Sequence, residues 1–544
     1  MTILRDAKID EIIKKVCEVV RAKSPPDQSS LVERFAQQYY AGTSAEDLAG
    51  TDVANLYGAM LSHFNCARQR PSGTQKVRVY NPDFEQNGWQ STHTIVEAVT
   101  DDMPFLVDSV RMALNARGLT THLVIHPVMH FMRDGEGQLL DVLRRDEQRK
   151  GALTEAVMHV EVDRQTERDV LEGIRMGLER VLGDVRVVVE DWRAMRGKLR
   201  ETLDQLAANP PPIDPDTLSE GREFLEWIDN NHFTFFGYRE YVLESQGGED
   251  VLRSVADSGL GVSRNPGESK VSESFSLLPL EVRRMSRLPE LLTITKGNFR
   301  STVHRPSYMD YVGVKRFSKK GKVIGERRFL GLYTSAAYNR NPRVIPLLRK
   351  KVANIVDAAG YPPNSHAGKA VLNILETFPR DMLFQIPEED LLRAAMGILH
   401  LQERQRIRLF VYRDRYSRFF SCIVYVPRER FNTSIRLKIQ SILEESLGGD
   451  SSDFTVQLSE SVLARLYFVI RTPPGTTVEY DVNRIEARLV EVSRAWTDDL
   501  CEALLDHYGE ERGTRLYRRY GGAFRADYTE QYSARIAVHD IDKI

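Results

Sequence analysis

Three carboxylates, Asp101, Asp102 and Asp108, flank a proline in the stretch TDDMPFLVD. Asp101 and Asp102 suit the cap of a following helix, and Pro104 suits its first turn, where a missing N–H costs nothing. The free amides of such a helix start can receive a carboxylate, and the helix dipole adds ~0.3–1 kcal/mol. The aspartates in turn can hold an ammonium or guanidinium. Asp101, Asp102, Phe105 and Asp108 are therefore the candidate effector-binding residues.

His122, His126 and His130 alternate with Val124 and Val128, and His159 falls on a neighbouring strand candidate. Neutral imidazoles ligate zinc, but positions i and i+4 of a strand lie about 13 Å apart, too far for one ion. No metal site is expected. The three histidines are assigned to a polar sheet face in a domain or subunit contact, which makes that contact sensitive to pH near neutrality. Arg428 and Arg430, beside a helix start in PRERF, are candidates for a salt-bridged contact of the same kind. The run RSTVHRPSYMDYVGVKRFSKKGK gathers Arg300, His304, Arg305, Lys315, Arg316, Lys319 and Lys320. These suit an anion or, with Tyr308, Tyr311 and Phe317, stacked bases. A solvated sheet edge, where cations discourage strand pairing, accounts for them as well.

Other chemistry is missing. No GxGxxG follows a strand and opens a helix, and no GxxxxGK[ST] occurs, so dinucleotide and phosphate loops are not expected here. Cys17, Cys66, Cys422 and Cys501 form no CxxC pair and read as reduced thiols.

The elements that must position these residues follow from periodicity. Thr94–Val99 alternates as a strand, and Phe105, Leu106, Val110, Ala113 and Leu114 give the next helix one apolar face. Gly118 ends that helix, and Leu119–Phe131 reads as one long strand. Ala156–Asp163 as strand, Glu167–Leu182 as helix and Val185–Glu190 as closing strand complete a ferredoxin-like βαββαβ unit. An extra strand, Lys76–Tyr80, precedes it, and RPSGTQ before that reads as linker. A polar helix, Trp192–Ala208, leads to the proline-rich ANPPPIDPD, a stiff spacer. Leu291–Thr295, Thr302–Arg305, Asp310–Phe317 and Gly325–Tyr333 read as an antiparallel meander. Arg406–Arg413, Arg418–Val426, the helix Ile435–Leu447, Phe454–Ser459 and Ala464–Ile470 repeat the first pattern. A helix over Asp481–His507 follows, and Ala534–His539 reads as an incipient strand.

The fold class is α+β and multidomain. It comprises a helical arm (1–72), a first unit (76–208), an antiparallel sheet domain (216–340), a helical connector (341–404), a second unit (405–475), a helical segment (476–533) and the start of a further domain (534–544). The chain stops as that strand begins, so a longer polypeptide is expected.

The pattern D-x-P-x-L, helix, Gly, strand resembles an ACT domain, a regulatory module that often binds amino acids at domain interfaces. DDMPFLVDSVRMALNARGL with HLVIHPV, then GERRFLGLYTSAAYN and SRFFSCIVYVPRERFNT, resemble the N-terminal region of the large bacterial NAD-dependent glutamate dehydrogenases. That resemblance implies ACT-like and PAS-like regulatory domains, homo-oligomers built through ACT-like and helical segments, and a catalytic domain of the same polypeptide beyond Ile544. It implies NAD as cofactor of the full-length enzyme and none in this segment. ACT domains that bind amino acids usually carry Gly after the loop proline. Phe105 stands there instead and reads as a core ring.

With 544 residues, about three or four domains are expected. The 75 basic and 77 acidic residues give a net charge of −2, which argues against nucleic acid as a partner. No run of about 18 apolar residues and no signal peptide occur, so a cytoplasmic protein is expected. The expected function is regulation and assembly of a glutamate dehydrogenase that oxidises L-glutamate to 2-oxoglutarate and ammonia. The alternatives are a structural scaffold without an effector site and a stand-alone ACT-type amino-acid sensor acting on a partner.

Overall fold

Three antiparallel sheets follow one another along the chain, each backed by helices. The computed structural model describes residues 7–544 except 265, 266, 268, 402, 403, 460, 474–477 and 495.

Helices α1 (Ala7–Lys23), α2 (Pro26–Tyr39), α3 (Ala45–Leu48) and α4 (Val53–Ala67) form the N-terminal layer. Their stripes, including Val16, Val20, Phe35, Tyr39, Met60 and Phe64, close over one face of the first sheet at Val99, Ile125 and Phe131. Gly58 of α4 lets Trp89 seat directly on the helix; a Cβ there would lie 2.3 Å from Trp89 Cβ.

The first sheet contains β1 (Lys76–Tyr80), β2 (Thr94–Asp101), β3 (Thr121–Ile125), β4 (Val128–Arg133), β5 (Leu139–Val142) and β6 (Leu153–Val162). Its order is β1-β2-β6-β4-β5, with β3 also on β6. A short helix α5 (Phe84–Asn87) lies between β1 and β2, and α6 (Leu106–Asn115) between β2 and β3. Two expectations fail here. The strand expected over Leu119–Phe131 is broken at His126–Pro127, because proline lacks the ladder donor. The closing strand expected over Val185–Glu190, and the separate helix after it, belong to one 41-residue helix, α7 (Arg168–Ala208). Ile174, Leu178, Leu182, Val185 and Val188 keep a buried helical stripe through the β-branched run. The place beside β2 that a closing strand takes in a βαββαβ fold is filled by β1.

Helix α8 (Pro215–Trp227) leads into the central sheet: β7 (Phe233–Gln246), β8 (Glu249–Ser254), β9 (Leu260–Gly261), β10 (Leu292–Arg300), β11 (Tyr308–Phe317) and β12 (Val323–Tyr333). Its order is β10-β11-β12-β7-β8, with β9 on β7. Thr302–Arg305, expected as a strand, is a loop with His304 at a φ of 72°. Helices Leu348–Ala358, His366–Thr377, Arg380–Gln385 and Glu388–Leu401 share an apolar core with this sheet, α7 and α8.

The third sheet, β13 (Arg408–Arg413), β14 (Phe419–Pro427), β15 (Ser451–Gln457) and β16 (Leu463–Arg471), runs β13-β14-β16-β15. The helices Thr433–Leu447 and Val482–Val492 pack on it. An N-terminal strand again sits beside the first core strand, so both α/β units share one permuted topology. The helix expected over Asp481–His507 is two helices, Val482–Val492 and Trp496–Tyr520, the second kinked at Gly509. Ala534–Lys543 is a helix, not the expected strand. Its Ala534, Ala537, Val538 and Ile541 recur at helical spacing against Leu500 and Leu504. No helix among the described residues is long and apolar enough to cross a membrane.

The Gly58 contact fixes the seating of the N-terminal layer. Gly58→Val is expected to destabilise by about 1–3 kcal/mol through overpacking against Trp89. Calorimetry should show the earliest unfolding transition moving to lower temperature.

Candidate functional site: the loop between the first core strand and helix

Asp101 ends β2 opposite Glu155 on β6. Two carboxylates facing each other across a ladder repel, and three guanidinium groups resolve the conflict. Arg70, fully buried, donates Nε to Glu155 at 2.9 Å and Nη2 to Asp101 at 2.8 Å. Arg133 donates to both oxygens of Glu155, at 2.6 and 2.9 Å. Arg186 of α7 donates Nη1 to the second Asp101 oxygen at 2.6 Å. Burial resists ionisation of Asp101, but the Arg186 and Arg70 bonds prevail and hold its pKa below the ordinary value. Burial likewise works against charge on Arg70, and its bonds to Glu155 and Asp101 keep its pKa raised.

Arg70 was expected in a linker. Instead, its backbone pairs with Gly137, where a Cβ would meet the Arg70 carbonyl oxygen at 2.4 Å. Asp101 is therefore committed within the fold. Asp102 is exposed, and its backbone N–H donates to the Thr154 carbonyl at 3.0 Å.

Phe105 occupies the N-cap of α6 with a φ of 75°, in the left-handed region. Its ring lies 5.1 Å from His304 and 6.3 Å from Phe236. It is half-buried where the loop meets the central sheet, rather than inside the first core alone. Around it, the His304 N–H donates to the buried Ser109 Oγ at 3.0 Å, and Thr302 Oγ1 donates to Asp184 at 2.8 Å. Asp108 is exposed, 3.6 Å from His304 Nδ1. A cavity of about 360 Å³ adjoins Pro104 and Phe105, walled by Val188, Trp192, Phe233 and Phe235. Its charged lining residues, Arg196 and Asp229, already pair at 2.6 Å. The structure thus brings Phe105 to a largely apolar slot and leaves Asp101, Asp102 and Asp108 outside its lining.

The histidines go separate ways. His122 is exposed, bonds Asp163 at 2.8 Å and stacks on His93 at 4.4 Å. His126 sits at the strand break with Nε2 unbonded, its pKa lowered by burial against the pull of Asp102. His130 contacts Thr154 Oγ1 at 3.2 Å. A grouping hidden from sequence spacing is His63, Glu97 and His159, whose ligating atoms lie within 4.8 Å of one another in the core. Glu97 already accepts from Arg78 and Tyr80, and His63 contacts Tyr39 Oη and the Ala98 carbonyl. Burial lowers the His63 pKa to about 4. The set serves as a hydrogen-bonded core. Cross-strand pairing of Glu97 with His159 is the one clue the sequence could have offered. In PRERF, Arg428 donates to the Ser459 carbonyl and Arg430 pairs with Asp498 at 2.8 Å.

Two α/β units flank a central antiparallel sheet and are joined to it by helical segments, and comparison with known families says what this arrangement is similar to. Family models match as follows: "Glutamate dehydrogenase, ACT1 domain" over residues 35–178, "Glutamate dehydrogenase, helical motif 1" over 345–404, "Glutamate dehydrogenase, ACT2 domain" over 408–497 and "Glutamate dehydrogenase, helical motif 2" over 503–544. The chain is 41% identical over 540 residues to the NAD-specific glutamate dehydrogenase of Halomonas elongata, covering 99% of this chain and 33% of that protein. It is 38% identical over 518 residues to that of Pseudomonas aeruginosa, covering 94% and 32%. It is 27% identical over 514 residues to that of Mycobacterium tuberculosis, covering 92% and 30%. The chain thus carries ACT and helical-motif domains of glutamate dehydrogenase and spans about a third of the length of the relatives it matches.

Arg70→Ala strands Glu155 in the core with Arg133 as its remaining partner and is expected to cost about 3–5 kcal/mol. Asp101 has a depressed pKa, so its contribution is complete above the ordinary carboxylate value of about 4 and fades as pH falls through the folded value. Asp101→Asn should therefore melt below the parent at neutral pH, with the gap closing on acidification. Melting temperatures across an acid series check both the sign and the window.

Proposed function

We propose that this chain is the regulatory and assembly part of an NAD-dependent glutamate dehydrogenase. In this reading the whole enzyme converts L-glutamate, NAD+ and water to 2-oxoglutarate, ammonia and NADH. This part acts in the cytoplasm, couples subunits through its ACT and helical segments, and biases a catalytic domain of the same polypeptide. Exposed His122 and half-buried His130 face a second subunit. The central sheet is a PAS-like sensor domain; the antiparallel order β10-β11-β12-β7-β8 of its main path supports that reading.

Among the described residues the sheets do not offer the parallel-strand crevice that suits NAD. The strand pairings of all three sheets are antiparallel, whereas a dinucleotide crevice lies beyond the carboxyl ends of parallel strands.

The observation that carries the reading is the match of both ACT domains and both helical motifs to glutamate dehydrogenase. Geometry supports a mechanical role: the first ACT loop is wedged by Phe105 against His304 and Phe236 of the neighbouring domain. That wedge favours a scaffold without an amino-acid effector at this loop. An allosteric coupling of ~1–3 kcal/mol suffices for several-fold control.

The isolated chain, given L-glutamate and NAD+, is expected to form no NADH. Phe105→Ala placed in the full-length polypeptide is expected to change kcat by about two- to tenfold or to alter the mass of the oligomer. NADH formation by the isolated chain, or an unchanged full-length enzyme, would count against this function.

A further inference from the structure

One face of the central sheet is unusually polar for a covered surface. Arg239 of β7 and Arg328 of β12 are direct cross-strand partners, a like-charge pairing that costs stability unless something compensates. Two residues along the ladder, on the same face, Lys315 of β11 pairs with Glu326 of β12, which pairs with Tyr241 of β7. All of these residues line a cavity of about 450 Å³. Residues of the 252–286 segment, among them Phe275 and Leu278, roof it. Tyr416 and Arg418, from the turn between β13 and β14, close it from the third sheet.

Charge is unevenly balanced inside. Arg328 donates to Glu326 at 2.8 Å and lies over Tyr241 and Tyr311. Arg418 donates to Asp414 at 3.0 Å. Arg239 and Lys315 have no carboxylate in contact among the described residues. Arg239 donates to the Ser263 carbonyl, and the ammonium of Lys315, a residue 6% exposed, donates to the Met285 and Leu288 carbonyls at 3.2 and 2.8 Å. Burial lowers the Lys315 pKa, opposed by Glu290 and Glu326. The volume falls within the roughly 300–1,000 Å³ of small-molecule sites, and Leu252, Val262 and Leu330 add an apolar end.

We propose that this cavity binds a small organic carboxylate, held by Arg239 and Lys315 with its carbon chain against the apolar end. A carboxylate fits the planar guanidinium fork and neutralises the Arg239–Arg328 pair. Because the turn bearing Tyr416 and Arg418 forms one wall, an occupied cavity ties the second ACT domain to the central sheet. Binding is a property of this chain alone and does not rest on the regulatory reading above.

The test is calorimetric titration of the 544-residue chain, at constant ionic strength, with succinate, butyrate and inorganic phosphate. Saturable binding of at least one of the two carboxylates at one site per chain, with phosphate much weaker, is the expected result. Arg239→Gln and Lys315→Met should each weaken it about tenfold or more. Lys315 also holds two carbonyls, so Arg239→Gln is the decisive variant. It removes one of two like charges, and its ligand-free melting temperature should not fall. The proposal is overturned by no saturable heat with either carboxylate from a folded chain, by parental affinity in Arg239→Gln, or by phosphate binding as tightly as the carboxylates. None of these results bears on whether the isolated chain forms NADH or whether Phe105→Ala alters the full-length enzyme.

Discussion

One apolar stripe on one helix holds the first two sheets together. Over its 41 residues, roughly 60 Å at 1.5 Å per residue, α7 buries Ile174 to Val188 against the first sheet. It then buries Met195, Leu199 and Leu206 in the core under the central sheet. Neither sheet owns the helix. The first core also includes Phe236, Val303 and Leu330 of the central sheet region, and the second reaches Ile423 in β14. Units that look separable along the sequence are packed into shared cores, so displacing one strains its neighbours, because close-packed interiors transmit strain.

Much of this was legible from periodicity. β2, α6, β6 and the strands of the third sheet lie within a few residues of their expected positions, because each is an apolar-rich segment bounded by turn residues; β2, β6 and β14 are buried on both faces almost throughout, and β16 alternates. What failed did so where local propensity met tertiary burial. Val185–Glu190 is β-branched and reads as strand, yet its Val185 and Val188 lie on the stripe that begins at Ile174, and that continuity decided the outcome. The strand that completes the sheet was visible all along as Lys76–Tyr80, and only its partner was not. Pairing across an intervening chain is a long-range fact that no window of sequence contains.

The candidate loop shows the same division. Its location, its proline and its three aspartates are local and readable. The fate of Asp101 is not, because Arg70 and Arg186 arrive from 31 and 85 residues away. Arg70 lies in a Pro-Gly-containing segment whose composition suggests solvent, and a buried guanidinium there makes sense only once Glu155 is placed opposite Asp101. Phe105, expected as a core ring, is half-buried at the junction with the central sheet. The neighbours it found, Phe236 and His304, belong to another sheet region altogether.

The shared permuted topology allows one more step. In both ACT domains the loop from first core strand to helix is already occupied by a neighbour: the first by His304 and Phe236, the second by the helix Trp496–Tyr520 through Arg430 and Asp498. The capping chemistry differs, with Phe105 in a left-handed conformation and no side-chain cap in one, and Asn432 accepting from the Ile435 N–H in the other. The mechanical outcome is the same. A ligand entering either loop must displace an internal contact, so the free energy of that contact sets how strongly ligand and domain docking are coupled. Each loop thus sits at a joint between packed neighbours.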